Sequence, residues 1–294
     1  MREANRTLDE IIARYDLNPS FCDVYVEGDT DRGILESFFE GWPNLEVVVY
    51  DIDTVTVPSS LLGELGLENN NRGRVIALAR VLHKRFGTAL PVSGVIDADL
   101  DYVIGSAESC PLILLTDYTS MEMYVFNPKA MTKFIRSVCP TAGIKAEKLL
   151  AAITPPLQKL FLARIANRVL KSNLTAVPFY KSCKIVKGPA FIDFDFNDYV
   201  KRYLSKNSYL SRGAEFVKTM RKWEAKCRKL DERRCMHGHD FLEILALICS
   251  KIKAAAEVRS ANLVGAMLRC AIDDRDLRSE PMFQQLVKRC SIEQ

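Results

Sequence analysis

The residues best suited to chemistry in this chain lie between Val92 and Asp101, which read V-S-G-V-I-D-A-D-L-D. A short apolar run of the buried-strand kind, Val92 to Ile96, is followed by Asp97, Asp99 and Asp101 at alternate positions. In an extended segment, side chains at i, i+2 and i+4 lie on one side. Three carboxylates so placed repel one another at neutral pH unless a cation sits among them. A hard divalent ion with oxygen ligands, Mg2+ or Mn2+, answers that need. The competing reading is an Asp-rich turn in which the carboxylates cap the backbone.

Acids at one strand end do chemistry only with partners, so the elements around them matter. The segment Thr7 to Tyr15 has Thr7 and Glu10 at capping-box spacing and reads as a short amphipathic helix. A strand from Cys22 to Val26 stops at Glu27-Gly28, and a helix from Asp29-Thr30-Asp31 runs to about Glu40. Further strands are expected at Leu45 to Tyr50 and Leu112 to Leu115, with a helix from about Arg74 to Phe86 after a polar loop. Strands alternating with helices imply a parallel sheet with helical crossovers. Such sheets place their chemistry at the carboxyl ends of the strands. Those ends would carry Glu27, Asp97, Asp99 and Glu122, with Asp31 and Asp101 in reserve.

From about Asn127 the pattern becomes helical, with helices expected over 128 to 138, 145 to 172, 197 to 231, 238 to 256, 260 to 271 and 280 to 290. A small strand or hairpin is expected between the second and third. Charge divides the chain in the same place. Residues 1 to 128 hold 9 lysines and arginines against 21 aspartates and glutamates, and residues 129 to 294 hold 32 against 16. An acidic domain at 1–128 joined to a basic, mostly helical domain at 129–294 fits a cation-concentrating half and a polyanion-holding half.

Within the basic half, Lys218, Arg221, Lys222, Lys226, Arg228, Lys229 and Arg233 form a stripe with Trp223 among them. Phosphates bind such stripes, and an interleaved aromatic can stack an unpaired base. The alternative is a solvated face with Trp223 turned to the core. His237 and His239, in H-G-H-D, are read as a polar turn contacting substrate phosphate or the domain interface. Together with Cys227 and Cys235 they are zinc-type ligands, but their spacing matches none of the common closed sites.

Nine cysteines are scattered with no C-x-x-C pair, the N-terminus carries charges where a signal peptide has its apolar region, and no apolar run of about 18 residues occurs. These features predict a reduced protein of the cytoplasm with no membrane association. The motif G-x-x-x-x-G-K-[ST] is absent, so ATP dependence would require a partner.

V-E-G-D-T-D followed by G-V-I-D-A-D-L-D resembles the TOPRIM domain shared by type IA and type II topoisomerases, bacterial primases and the overcoming-lysogenisation-defect nucleases. The resemblance implies a compact Rossmann-like α/β domain in which Glu27 matches the family's glutamate, with Asp97 and Asp99 its metal-holding pair. Together with N-R-G-R-V-I-A-L-A, L-T-D-Y-T-S-M-E and G-H-D, these motifs are most similar to the TOPRIM effector nucleases of bacterial anti-phage defence, in particular the phage anti-restriction-induced (PARIS) type. That likeness implies a toxic Mg-dependent endoribonuclease acting on tRNA, held inactive by an ABC-type ATPase partner, with a homodimer plausible for the active form. A DNA nuclease or nickase, and a non-catalytic subunit of an ATPase sensor complex, are the alternatives. Topoisomerase and primase readings lack, respectively, the extra domains and a zinc ribbon.

Overall fold

The computed structural model describes residues 5–140, 143–185, 192–252 and 258–291. The chain divides into two compact units. The first is drawn from Met1–Ala98, Ala107–Asp117 and Asp273–Gln294, the second from Asp99–Ser106 and Tyr118–Ile272. The division expected at residue 128 therefore falls elsewhere, because the C-terminal segment belongs with the N-terminal one. The charge contrast persists: the first unit holds 13 basic against 23 acidic residues and the second 28 against 14.

In the first unit, four parallel strands lie in the order Val47–Asp51, Cys22–Val26, Ser93–Ile96, Ile113–Leu115. The pairing brings Val24 opposite Ser93, Tyr25 opposite Gly94 and Ile96 opposite Leu115. Cys22–Val26 is buried along its whole length, as an inner strand of a parallel sheet must be. Thr7 and Glu10 close the expected capping box on the helix Leu8–Leu17. The helix Asp29–Glu40 buries Ile34, Leu35, Phe38 and Phe39 on one stripe.

The helix expected from Arg74 starts earlier, at Asn71, and runs to Phe86. Asn70 caps it by accepting from Gly73 N at 2.8 Å. The motif N-R-G-R is thus the first helical turn and not part of the loop. Two glycines let this helix close on its surroundings. A Cβ on Gly73 would lie 2.1 Å from Glu68 O, and one on Gly94 would lie 2.7 Å from Ile113 Cδ1 and 2.9 Å from Val75 Cγ1.

Asp23, only 1% exposed, is compensated by the Arg14 guanidinium at 3.0 Å and by the Tyr15 hydroxyl at 2.7 Å. A buried carboxylate without those donors would be strongly destabilising. The C-terminal helix Pro281–Cys290 is fastened by chemistry as well as packing. Asp117 accepts from Met282 N at 3.1 and 3.2 Å, and Arg289 donates to Ser93 Oγ at 3.1 Å and to Pro111 O at 2.8 Å. The rings of Phe283 and Phe38 lie 4.7 Å apart.

The second unit is mostly helical. Its central element, Ala146–Val169, is packed against Pro128–Val138, Gly213–Cys227 and Gly238–Lys251. Ile153, Leu157, Phe161 and Ile165 are fully covered, each contributing about 1.5–3 kcal/mol by the usual transfer scale. This helix has the length and composition of a membrane span, but 61% of its most apolar window is buried inside the protein. A helix that is apolar nearly all round is what the middle of a helical core requires.

The single helix expected over 197 to 231 is two, Phe196–Lys206 and Gly213–Cys227. The break falls where Ser208 adopts φ 53, a left-handed conformation that no helix continues through. A hairpin forms from Cys183–Ile185 and Ile192–Phe194, antiparallel as alternation suggested. The residues between those strands, Lys187 among them, and residues 253 to 256 of the expected helix 238 to 256 lie outside the described residues.

Candidate functional site

Glu27 directly follows Cys22–Val26, and Asp97 directly follows Ser93–Ile96, the strand paired beside it. These two strands flank the point where the chain order across the sheet reverses. The first crossover leads from Cys22–Val26 to Val47–Asp51 on one side, and the next places Ser93–Ile96 on the other. In open parallel sheets this switch point leaves a crevice beyond the carboxyl ends of the strands.

Local bonds fix both acids there. Asp97 N donates to Glu27 Oε1 at 2.9 Å, joining the two strand ends through a carboxylate. Asn71 Nδ2 donates to the Glu27 carbonyl at 2.7 Å, and Arg72 Nη1 donates to the Asp97 carbonyl. The first turn of the helix Asn71–Phe86 therefore clamps both strand ends by their backbones. Thr116 completes the edge, its hydroxyl accepting from Ala98 N at 3.0 Å. Asn71 and Arg72 were absent from the acids that sequence reasoning assembled. The signal was the N-R-G-R motif, which carried no physical role until the helix start was known. Asp31 lies in the first turn of Asp29–Glu40, four residues beyond Glu27.

The remaining acids belong to the second unit, into which the chain passes after Ala98. The even spacing of Asp97, Asp99 and Asp101 does not put them on one side, because the strand ends at Ile96. Asp99 takes φ 45, its N–H donates to Thr119 O at 2.8 Å, and Asp101 opens a short helix, Asp101–Ile104. Asp101 is 9% exposed and accepts from Ser106 Oγ at 2.8 Å within its own turn.

Glu122 and the H-G-H-D turn meet within this unit. A Cβ on Gly238 would lie 2.5 Å from Glu122 Oε2 and 2.2 Å from Ser120 Oγ. Only glycine admits this approach of Glu122 to the start of the helix Gly238–Lys251, where the helix dipole favours a carboxylate. His237 caps that helix, Nδ1 accepting from His239 N at 3.2 Å, and its Nε2 stands 4.0 Å from Asp99 Oδ1. Burial pushes the His237 imidazole down to about 3, so it is neutral at physiological pH. A neutral imidazole brings no positive charge to a phosphate, so any contact it makes there is a hydrogen bond only. His239 is exposed, its ring 5.2 Å from that of His237.

The basic stripe is likewise divided. Lys218, Arg221 and Lys222 are exposed on Gly213–Cys227, whereas Lys226 donates to the Val103 carbonyl and lies 5.0 Å over the Trp223 ring. Arg228 pairs with Glu224 at 2.8 Å, and Lys229 is exposed beyond the helix end. Arg233 pairs with Asp231 at 2.9 Å and stacks 3.7 Å over the Tyr118 ring. Trp223 is half-buried with its Nε1 covered, so it is not an open stacking platform.

Among the described residues, no three His, Cys, Asp or Glu side chains gather as ligands of one metal ion. Mg2+ is ordinarily held by one or two carboxylates and completed by water and substrate phosphate. The all-oxygen pair Glu27 and Asp97, on adjoining strand ends, fits that donor chemistry. No protein-family model matches the chain, and no curated protein matches it in sequence.

Proposed function

We propose that this chain is a metal-dependent endonuclease of the TOPRIM type that cleaves RNA, with tRNA as its leading substrate. The observation that carries the reading is the joining of Glu27 and Asp97, across the Asp97 N to Glu27 Oε1 bond, at the switch point of a parallel sheet. The basic excess of the second unit supports a polyanionic substrate.

Glu27 and Asp97 would hold Mg2+ or Mn2+, with Asp99 the third carboxylate that the motif likeness assigns. An ion held there would supply the positive charge that a phosphodiester and its departing oxygen require. The protein's own share is positional. Asn71 and Arg72 grip the carbonyls of Glu27 and Asp97, so the carboxylates start from fixed strand ends. A carboxylate not engaged with the ion can take the proton from the attacking water. In the second unit, exposed Lys218, Arg221 and Lys222 are suited to phosphate contacts that do not read sequence. Restraint by an ABC-type ATPase, a role in anti-phage defence, a cytoplasmic site of action and a homodimeric active form belong to the same proposal.

The test is expression of wild type and Glu27→Ala in bacteria, followed by mapping of RNA ends and inspection of genomic DNA. Discrete tRNA ends present with wild type and absent with the variant support the reading. Fragmented DNA with intact RNA transfers the site to a DNA nuclease. Full toxicity of Glu27→Ala overturns the catalytic role.

A further inference from the structure

The second unit holds a cleft of about 1190 Å³, somewhat larger than ordinary small-molecule sites, whose lining the cleavage reading leaves unused. It opens along the C-terminal half of Ala146–Val169, between the segment that follows that helix and the helix Gly238–Lys251. Three kinds of surface meet in it.

Its floor is apolar, formed by residues such as Leu160, Leu174 and Val177. One aromatic ring is presented to solvent: Tyr180 is 51% exposed, next to buried Phe179. Arg168, Lys171 and Arg259 bring positive charge to the lining. Arg164 is already committed, its guanidinium forked onto Asp240 at 2.6 and 2.9 Å. Burial, and Asp240 nearby, raise the Glu243 carboxyl above its ordinary range.

The turn that bears Lys171 is held by the Asn167 side chain. Asn167 accepts from Leu174 N at 2.8 Å and from Ser172 Oγ at 2.9 Å, and donates to Leu174 O at 3.1 Å. Lys171 follows the helix end at φ 49, in the left-handed region where glycine is the less costly residue. A lysine is thus held at a position that backbone geometry alone would give to glycine.

We propose that this cleft is a nucleotide-binding site. It takes the base against Tyr180 and the apolar floor, and the phosphate on Lys171 and Arg259. An exposed aromatic ring and cations in one lining suit a planar ring carrying a phosphate, because stacking and charge neutralisation each supply part of the affinity. The nucleotide comes either as a free mononucleotide or as an unpaired residue of an RNA strand. The site does not depend on the cleavage reading, since no carboxylate of the proposed metal site lines it.

Binding is measured by calorimetry and fluorescence anisotropy on the full chain in EDTA, at about 0.15 M salt. Keeping metal away makes failure of this proposal distinguishable from failure of the nuclease reading. The probes are AMP, UMP, inorganic phosphate and a labelled single-stranded oligouridylate. Saturable mononucleotide binding is expected, weakened about tenfold or more by Tyr180→Ala and by the pair Lys171→Glu with Arg259→Glu, but retained by Tyr180→Phe. Inorganic phosphate should bind far more weakly than AMP. Binding of the oligouridylate alone, with the same sensitivity to the variants, assigns the site to an RNA nucleotide and also supports the proposal. Absence of binding by every probe overturns it. So does binding that ignores Tyr180→Ala while falling with the charge reversals, which marks diffuse electrostatic attraction.

Discussion

The strand edge that carries Glu27 and Asp97 and the turn that carries His237 and Gly238 use their polar groups in opposite ways. At the edge, the neighbouring helix holds the acids through their carbonyls, by Asn71 and Arg72. At the turn, the His237 side chain is itself the fastening, capping its helix from a covered position where it stays neutral. The acids at the edge are held by bonds to their carbonyls in addition to the Asp97 N to Glu27 Oε1 bond, whereas at the turn the His237 side chain alone caps the helix. The comparison separates two groups of residues that look equally functional in a sequence.

The sharpest way to break it is to remove the acids at the edge. Glu27→Gln and Asp97→Asn should each lower Mg-dependent cleavage by about 10³-fold or more while leaving substrate affinity in EDTA near wild type. Glu122→Gln, at the turn, should cost far less activity. Single-turnover cleavage assays on the three variants decide the matter, and equal losses at Glu27 and Glu122 would dissolve the distinction.

A second test addresses the other end of the same strand. Asp23→Ala leaves Arg14 and Tyr15 without their buried acceptor and should cost about 3–5 kcal/mol in urea unfolding. Arg14→Ala combined with Asp23→Ala should recover part of that loss. Third, Gly238→Ala forces a methyl into Ser120 Oγ and Glu122 Oε2 and should destabilise the fold by about 1–3 kcal/mol. Ser120→Ala alone should be close to neutral, because its hydroxyl is buried with no hydrogen-bond partner among the described residues.

A further test concerns the part His237 plays in acid stability. Its folded pKa is lowered to about 3 against an unfolded value near 6.5. Between these values the unfolded chain binds the extra proton, so stability falls as pH drops through 6.5 toward 3. Its share of the loss between pH 7 and pH 5 is on the order of 1–2 kcal/mol. His237→Asn keeps a capping side chain and should flatten that part of the urea midpoint against pH. An unchanged slope would show that His237 is not held neutral.

The parallel sheet and its acidic edge were legible in the sequence because strand and helix periods alternate there and Glu27 falls where a strand must end. The spacing of the three aspartates misled. Alternation carries side chains to one face only while the backbone stays extended, and the left-handed Asp99 ends that condition. The long basic helix misled for a related reason, since charge counts are blind to the break at Ser208. The company of Gly238 and Glu122 could not be read at all, because more than a hundred positions separate them and only a close approach reveals why glycine stands there. The acidic and basic halves were visible from composition, but the exchange of the C-terminal segment was not. Its anchors, Asp117, Ser93 and the Pro111 carbonyl, are ordinary residues that gain meaning from their partners.

The bonds from Asp117 to Met282 and from Arg289 to Ser93 and Pro111 also set the timing of assembly during synthesis. The first 98 residues leave the ribosome long before the helix that completes their unit. At ordinary elongation rates that wait is roughly 10–40 s. The sheet that carries Glu27 and Asp97 therefore waits for residues 281–290 to be made, and until then Phe38 and the Ser93 flank lack their cover.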